Sequence, residues 1–182
     1  KEARKLPHET IEIKSFDNIR QGIDFGYATD PFSFGRFHYD KTRRRLYVLD
    51  EFYGVKKSNR EVAEWIRSKK YNVTNIIADS AEPKSIDELR SYGIKIIGAK
   101  KGPGSVEYGE KWLDDLDEII IDPKRTPAAA KEFENIDYQT DRDGNPKAKL
   151  EDKDNHFIDC TRYACENDMI SGVKFDRNKF GI

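Results

Sequence analysis

The chain reads as an α/β protein on a mixed sheet, with three antiparallel strands followed by parallel strands and helices on both faces. Two observations carry that prediction. Three strand-like runs follow one another with short links, 28–31 and then 40–44, and links that short make an antiparallel meander. From Ser58 onward the hydrophobic period changes, and short apolar runs alternate with helical stretches. That alternation is the mark of right-handed crossovers adding parallel strands to a sheet.

The elements follow in order. Residues 1–17 offer only a short extended piece around Ile11 to Ile13. Ile19 to Tyr27, Phe32 to Tyr39 and Arg45 to Tyr53 are the opening strands, rich in aromatic and β-branched residues. Ser58-Asn59-Arg60-Glu61 is a capping box, with Ser58 as N-cap and Glu61 reaching back. The helix it starts runs to about Lys69 and carries Val62, Trp65 and Ile66 on one face. Asn75 to Ser80 is a short apolar strand that ends in a carboxylate. Pro83 to Tyr92 is a helix closed by Gly93 in the C′ position. Ile94 to Ala99 is the next strand, Lys100 to Ser105 a loop, and Ser105 to Asp117 an amphipathic helix. Glu118 to Ile121 is a strand, and Thr126-Pro127 places an N-cap and a first-turn proline at the start of another helix. Tyr138 to Leu150 contains Asp143-Gly144, a strong hairpin-turn signal. The last helix spans Asn155 to Ile170, with Asp154 as its N-cap. No repeat or linker interrupts the chain, so residues 1–182 are expected to form one domain, with 1–17 and 171–182 peripheral.

Composition limits the function. Of 182 residues, 36% are hydrophobic, 37% charged and 12% aromatic; that suits one domain with a modest core and is too aromatic for disorder. The formal net charge of −1, from 33 basic and 34 acidic side chains, shows none of the basic excess usual in nucleic-acid binders. Carboxylates gathered in a metal site would mask a basic face in that total. Cys160 and Cys165 lie five apart in one helical stretch and do not face each other, so no disulfide is expected. Without a leader or a long apolar segment, the chain is expected to be soluble and cytosolic, with no membrane partner.

The chemistry centres on Gly22-Ile23-Asp24-Phe25-Gly26-Tyr27. An ionised Asp is rarely buried in an apolar strand without a partner. Asp24 therefore either binds a cation or caps the turn toward Thr29. Asp79, at the end of another short strand, poses the same choice between a ligand and a cap of the turn through Ser80. His156 and Asp159, three apart, share one helix face, where His156 is either packed or ligating. Strands placed as these are would bring Asp24 and Asp79 to the carboxyl edge of the sheet, where ligands gather. Carboxylates meeting there repel one another unless divalent cations neutralise them, and oxygen donors with a neutral His suit Mg²⁺ or Mn²⁺.

Four ordered motifs, Gly22 to Tyr27 with Asp30-Pro31, Ile77 to Pro83, Lys100 to Val106 and Asp154 to Ala164, resemble the C-terminal nuclease domain of tailed-bacteriophage large terminase subunits over about residues 18–166. The resemblance implies an RNase H-like fold and metal-dependent endonuclease cleavage of concatemeric double-stranded viral DNA at the start and end of genome packaging. It matches Asp24 and Asp79 to the first two metal-binding acids, and His156 and Asp159 to the third cluster, where many relatives carry a pair of acids. It implies a two-metal site with Mg²⁺ or Mn²⁺, a portal protein and a small terminase subunit as partners, and action in the host cytoplasm. It further implies an N-terminal packaging ATPase domain, yet this chain holds no G-x-x-x-x-G-K-[ST] loop, so that half and ATP binding are not expected here.

DNA contacts are expected from cations aimed at the backbone: first Lys100 and Lys101, then Arg142, Lys147 and Lys149 on the hairpin, and third Lys41 to Arg45. The hairpin, just before the third acidic cluster, is expected to act as a gate. Two alternatives stand beside this reading. One is another RNase H-like nuclease of junction-resolvase or transposase type; the other is a non-catalytic module that docks on DNA or a portal. An actin-like nucleotide domain also opens with Asp-x-Gly, but lacks here the second Gly-rich turn it needs.

Overall fold

A computed structural model of the protein describes residues 4–5, 16–26, 29–151 and 153–170. The expected piece at Ile11 to Ile13, Tyr27 at the end of the first opening strand, Asp152 and the segment 171–182 lie outside the described residues.

The meander forms as expected. β2 (Ile19–Asp24), β3 (Phe32–Asp40) and β4 (Arg45–Gly54) pair antiparallel, after a two-residue β1 (Arg4–Lys5). β5 (Ile76–Ala78) joins β2 in parallel and β6 (Ile96–Gly98) joins β5, while β7 (Glu118–Ile121) lies parallel to β4 with β1 beyond it. The seven strands run in the order β1-β7-β4-β3-β2-β5-β6. The β8 (Tyr138–Thr140) and β9 (Pro146–Leu150) strands make a separate hairpin.

Helices cover both faces, and each face has its own core. On one, Ile23, Phe34, Ile76 and Ala78 pack against Val62 and Ile66 of α1 (Asn59–Ser68) and Ile86 and Leu89 of α2 (Pro83–Ser91). On the other, Phe37, Leu46, Val48 and Ile121 meet Leu113 of α3 (Ser105–Asp114), Ala129 and Ala130 of α4 (Pro127–Asn135), and Phe157, Ile158, Cys160 and Ala164 of α5 (His156–Ala164). Side chains alternate along a strand, so with Ile23 turned to α1 and α2, Gly22 and Asp24 must face α5. Gly22 makes that approach possible: a Cβ there would stand 2.1 Å from the Cys160 carbonyl oxygen and 2.9 Å from the Ala164 nitrogen. The helix lies directly on the backbone of β2.

The α1 capping box forms as read, with Ser58 and Glu61 exchanging hydrogen bonds. Gly93 closes α2 in the left-handed region at φ +82°. Cys160 and Cys165 are buried free thiols. Three expectations are corrected. The last helix is two helices: α5 ends at Ala164 and α6 (Glu166–Ile170) resumes after Cys165, a turn that brings Asp168 back onto Arg20 at 2.6 and 2.8 Å. The helix after Ser105 stops at Asp114, with Asp115 as C-cap, because Asp117 is already turning into β7, its amide bonded to the Arg44 carbonyl at 2.9 Å. Asp154 is not the N-cap of α5; it sits in the left-handed region at φ 52°, and Asn155 takes the cap position. The reason is a carboxylate from elsewhere, described below.

Candidate functional site

Asp24 ends β2, and the parallel pairing of β5 with β2 sets Ile23 beside Ala78. The residue after each, Asp24 and Asp79, therefore leaves the sheet at the same edge. The Asp79 amide still bonds the Ile23 carbonyl at 3.0 Å, which locks the two strand ends together. Helix α5 crosses β2 so that its first turn reaches the same place, and His156 Nδ1 lies 3.2 Å from Asp24 Oδ2. One helical turn later, Asp159 faces the same cleft.

That cleft, of about 330 Å³, is lined by Asp24, Asp79 and Asp159 with the cations Lys101, Lys149 and Arg162. Its remaining walls include Glu110, Tyr163 and Ser105 at the start of α3. Each of the three aspartates meets a basic partner. Asp79 binds Lys101, and its Oδ1 also accepts the Ala81 amide at 2.8 Å, so the turn-capping role foreseen for it coexists with a place in the cleft. Asp159 accepts from Arg162 Nε at 3.0 Å and Nη2 at 2.8 Å. Asp24 pairs with His156.

The electrostatics are those of crowded acids. Burial pushes the Asp24 carboxyl above its ordinary value, and Asp159 and Asp79 push it further, while His156 pulls it back. The same contact with Asp24 raises the His156 imidazole against its own burial. Burial raises the Tyr163 phenol, and the charges of Asp79, Asp159 and Asp24 add to the rise; one ring thus senses all three acids. Burial works against the Arg162 charge, but Asp159 holds the guanidinium above its usual range.

Among the described residues, no three His, Cys, Asp or Glu side chains come together as a ready-made metal shell. Asp79 and Asp159 turn their oxygens to Lys101 and Arg162 instead. The donors nevertheless fit a hard divalent cation. Three carboxylates and an imidazole are the oxygen-rich set that Mg²⁺ or Mn²⁺ takes, and such a cation would offset both the burial and the repulsion that lift Asp24.

The predicted DNA contacts separate into groups. Lys101 and Lys149 line the cleft, whereas Lys100 follows Ala99 on the loop and its amide bonds Glu166 at 2.9 Å. Arg142 and Lys147 are exposed near the hairpin turn. Lys41 to Arg45 lie at the far end of the sheet: Asp24 pairs with Ser33, whereas the link from β3 to β4 follows Asp40. Arg43 there is bonded to Asp40 and Arg45 to Glu118.

Sequence reasoning missed Arg162, Tyr163 and Glu110. Arg162 had a legible signal, since it stands three residues after Asp159 on one helix face. Glu110 had none: it is one of several polar residues on α3 and is buried only because β9 packs there, its carboxylate accepting the Leu150 amide at 3.0 Å.

A family model described as the terminase RNase H-like domain matches residues 24–167. The chain is 60% identical over 163 residues to the terminase large subunit of Bacillus phage SPP1, covering 88% of this chain and 39% of that protein. It is 30% identical over 181 residues to the PBSX phage terminase large subunit of Bacillus subtilis strain 168, covering 96% and 41%. The chain thus spans about two fifths of these curated relatives' length. Among solved structures it resembles the large-terminase nuclease domain of bacteriophage SPP1 with bound Mn, at TM-score 0.88 and 55% identity over 91% of this chain and 96% of that one. The P22 large-terminase nuclease domain shares the fold at TM-score 0.60 and 16% identity, covering 85% and 81%.

Proposed function

The chain belongs to the terminase RNase H-like domain family, and on that premise we propose that it is a divalent-metal-dependent endonuclease cutting concatemeric double-stranded viral DNA as genome packaging starts and ends. One observation carries the reading: three separate elements deliver Asp24, Asp79 and Asp159 to one cleft whose walls hold Lys101, Lys149 and Arg162. Asp24, Asp79 and Asp159, with His156, would hold Mg²⁺ or Mn²⁺; the SPP1 domain was solved with Mn. Such ions, when bound, supply an activated water and stabilise the leaving oxygen of a phosphodiester.

The protein's own groups do the rest. Asp24 orients the His156 ring, and the Asp79 amide bond to β2 keeps the two strand-end acids in register. Lys101 and Lys149 offer charge to the DNA backbone inside the cleft, and Lys100, Arg142 and Lys147 extend that surface along the loop and the hairpin. Contacts of this kind position DNA without reading its sequence. The hairpin, whose Lys149 and Leu150 form one wall of the cleft, serves as a gate over it. Residues 1–182 act as one nuclease domain alongside a packaging ATPase, and the motor engages a portal protein and a small terminase subunit in the host cytoplasm. Among the described residues no helix is long and apolar enough to cross a membrane.

The test is direct. Plasmid DNA incubated with the protein is expected to be cut in Mn²⁺ or Mg²⁺ and left whole in EDTA or by Asp24→Ala. Cutting that persists in EDTA, or in the variant, defeats the proposal.

A further inference from the structure

The first turn of α5 carries His156 and lies one turn before Asp159, and Asn155 in its cap position makes no side-chain hydrogen bond to it. Among the described residues it is Glu132 of α4, and not Asn155, whose side chain meets the first amides of α5. Glu132 Oε2 accepts the Phe157 N–H at 2.6 Å and the Ile158 N–H at 3.1 Å, and Oε1 accepts the Tyr53 hydroxyl at 2.8 Å. Glu132 as a whole is 5% exposed. Its own helix is held the same way: Glu51 accepts the Ala128 and Ala129 amides, both at 2.9 Å. Glu51 and Tyr53 lie two apart on β4 and so face the same side of the sheet. From β4, one contact fixes the start of α4 and the other fixes Glu132.

We propose that Glu132 is a positioning residue for the cleavage centre: anchored by Tyr53 and by a capped α4, its carboxylate fixes the first turn of α5 and, through it, His156 and Asp159. A cap from the helix's own sequence satisfies the orphan amides equally well. It would not tie them to the sheet. A carboxylate reaching from a second element does both, and also suits the positive end of the helix dipole. The link to chemistry is short, because the residue before Phe157 is His156, 3.2 Å from Asp24. An error of about 1 Å in such a centre can cost a hundredfold in rate.

This inference rests on the nuclease reading, and its test separates the two. The 182-residue chain is compared as wild type, Glu132→Gln, Tyr53→Phe and Ser58→Ala, the last uncapping α1 on the opposite face of the sheet. Without metal, the Phe157 and Ile158 amides of Glu132→Gln are expected to exchange with solvent about tenfold faster, as loss of one charged acceptor implies, while those of α1 keep their rate. In Mn²⁺, kcat on plasmid DNA is expected to fall about tenfold with KM within about twofold, the pattern of a lost alignment and not of lost binding. Tyr53→Phe moves both readouts the same way by about threefold, and Ser58→Ala keeps the wild-type kcat. A folded Glu132→Gln with wild-type kcat overturns the proposal. So does unchanged exchange at Phe157 and Ile158. If Glu132→Gln does not fold, Tyr53→Phe decides, and wild-type values in both readouts overturn the idea. A wild type that fails to cut in Mn²⁺ sinks the nuclease reading and this proposal with it, a failure distinct from the others because in those the wild type cuts.

Discussion

Helices α1 and α5 sit on opposite faces of one sheet and solve the same problem in opposite ways. Each begins with backbone N–H groups that need acceptors. α1 finds them four residues wide in its own sequence, in Ser58 and Glu61. α5 takes its acceptor from Glu132, 25 residues earlier on another helix. The helix without a cleft residue is locally self-sufficient, whereas the helix that presents His156 and Asp159 depends on the assembled fold. A local cap stabilises a helix but leaves its direction free; a distant one also aims it. Of these two, the helix that must be aimed is the one that borrows its cap.

The contrast can be broken most severely at Gly22. A Gly22→Ala methyl group would be driven into the Cys160 carbonyl, backbone that cannot swing aside, so α5 must lift from β2. The expected cost is about 3 kcal/mol in urea unfolding, together with loss of cleavage. A variant that unfolds like wild type and still cuts would show that α5 is not seated by this contact.

The second effect is on pH. Burial pushes the Glu132 carboxyl up to about 7, while Tyr53 and the Ile158 and Phe157 amides pull it down. In the unfolded chain the same group titrates near 4.5. A raised carboxyl contributes stability that is fully present below the unfolded value and is lost as pH rises through the folded one. The stability gap between wild type and Glu132→Gln is therefore expected to narrow between pH 4.5 and pH 7, by on the order of 3 kcal/mol at most. Unfolding free energies measured across that range check it, and a gap independent of pH refutes it.

The smallest effect belongs to the self-capped helix. Ser58→Ala is expected to cost about 1 kcal/mol, with cleavage per folded molecule unchanged. A loss of kcat there would mean that α1 and α5 are coupled through the sheet, and the contrast would lose its meaning.

What the sequence determined by itself depends on near neighbours. The meander followed from two short links, the α1 cap from four consecutive residues, and the turn of the hairpin from Asp143-Gly144, each a choice made within a few residues of backbone. Asp24, Asp79, His156 and Asp159 could be singled out because acids in apolar runs, and a His with an Asp on one helix face, are odd in any fold. Arg162 was within reach of the same reasoning.

Tertiary structure alone decided the rest. It broke the last helix at Cys165 so that Asp168 meets Arg20, and it displaced Asp154 from the cap because Glu132 was already there. It also buried Glu110 in the cleft wall and left Lys41 to Arg45 at the far end of the sheet. The physical reason is one of range. Periodicity and capping record interactions within about a turn of chain, whereas Glu51, Glu110 and Glu132 look in sequence like any surface carboxylate. Only packing removes them from water, and only then must each find a donor; the donors it found are the backbone amides that begin α4, pin β9 and begin α5.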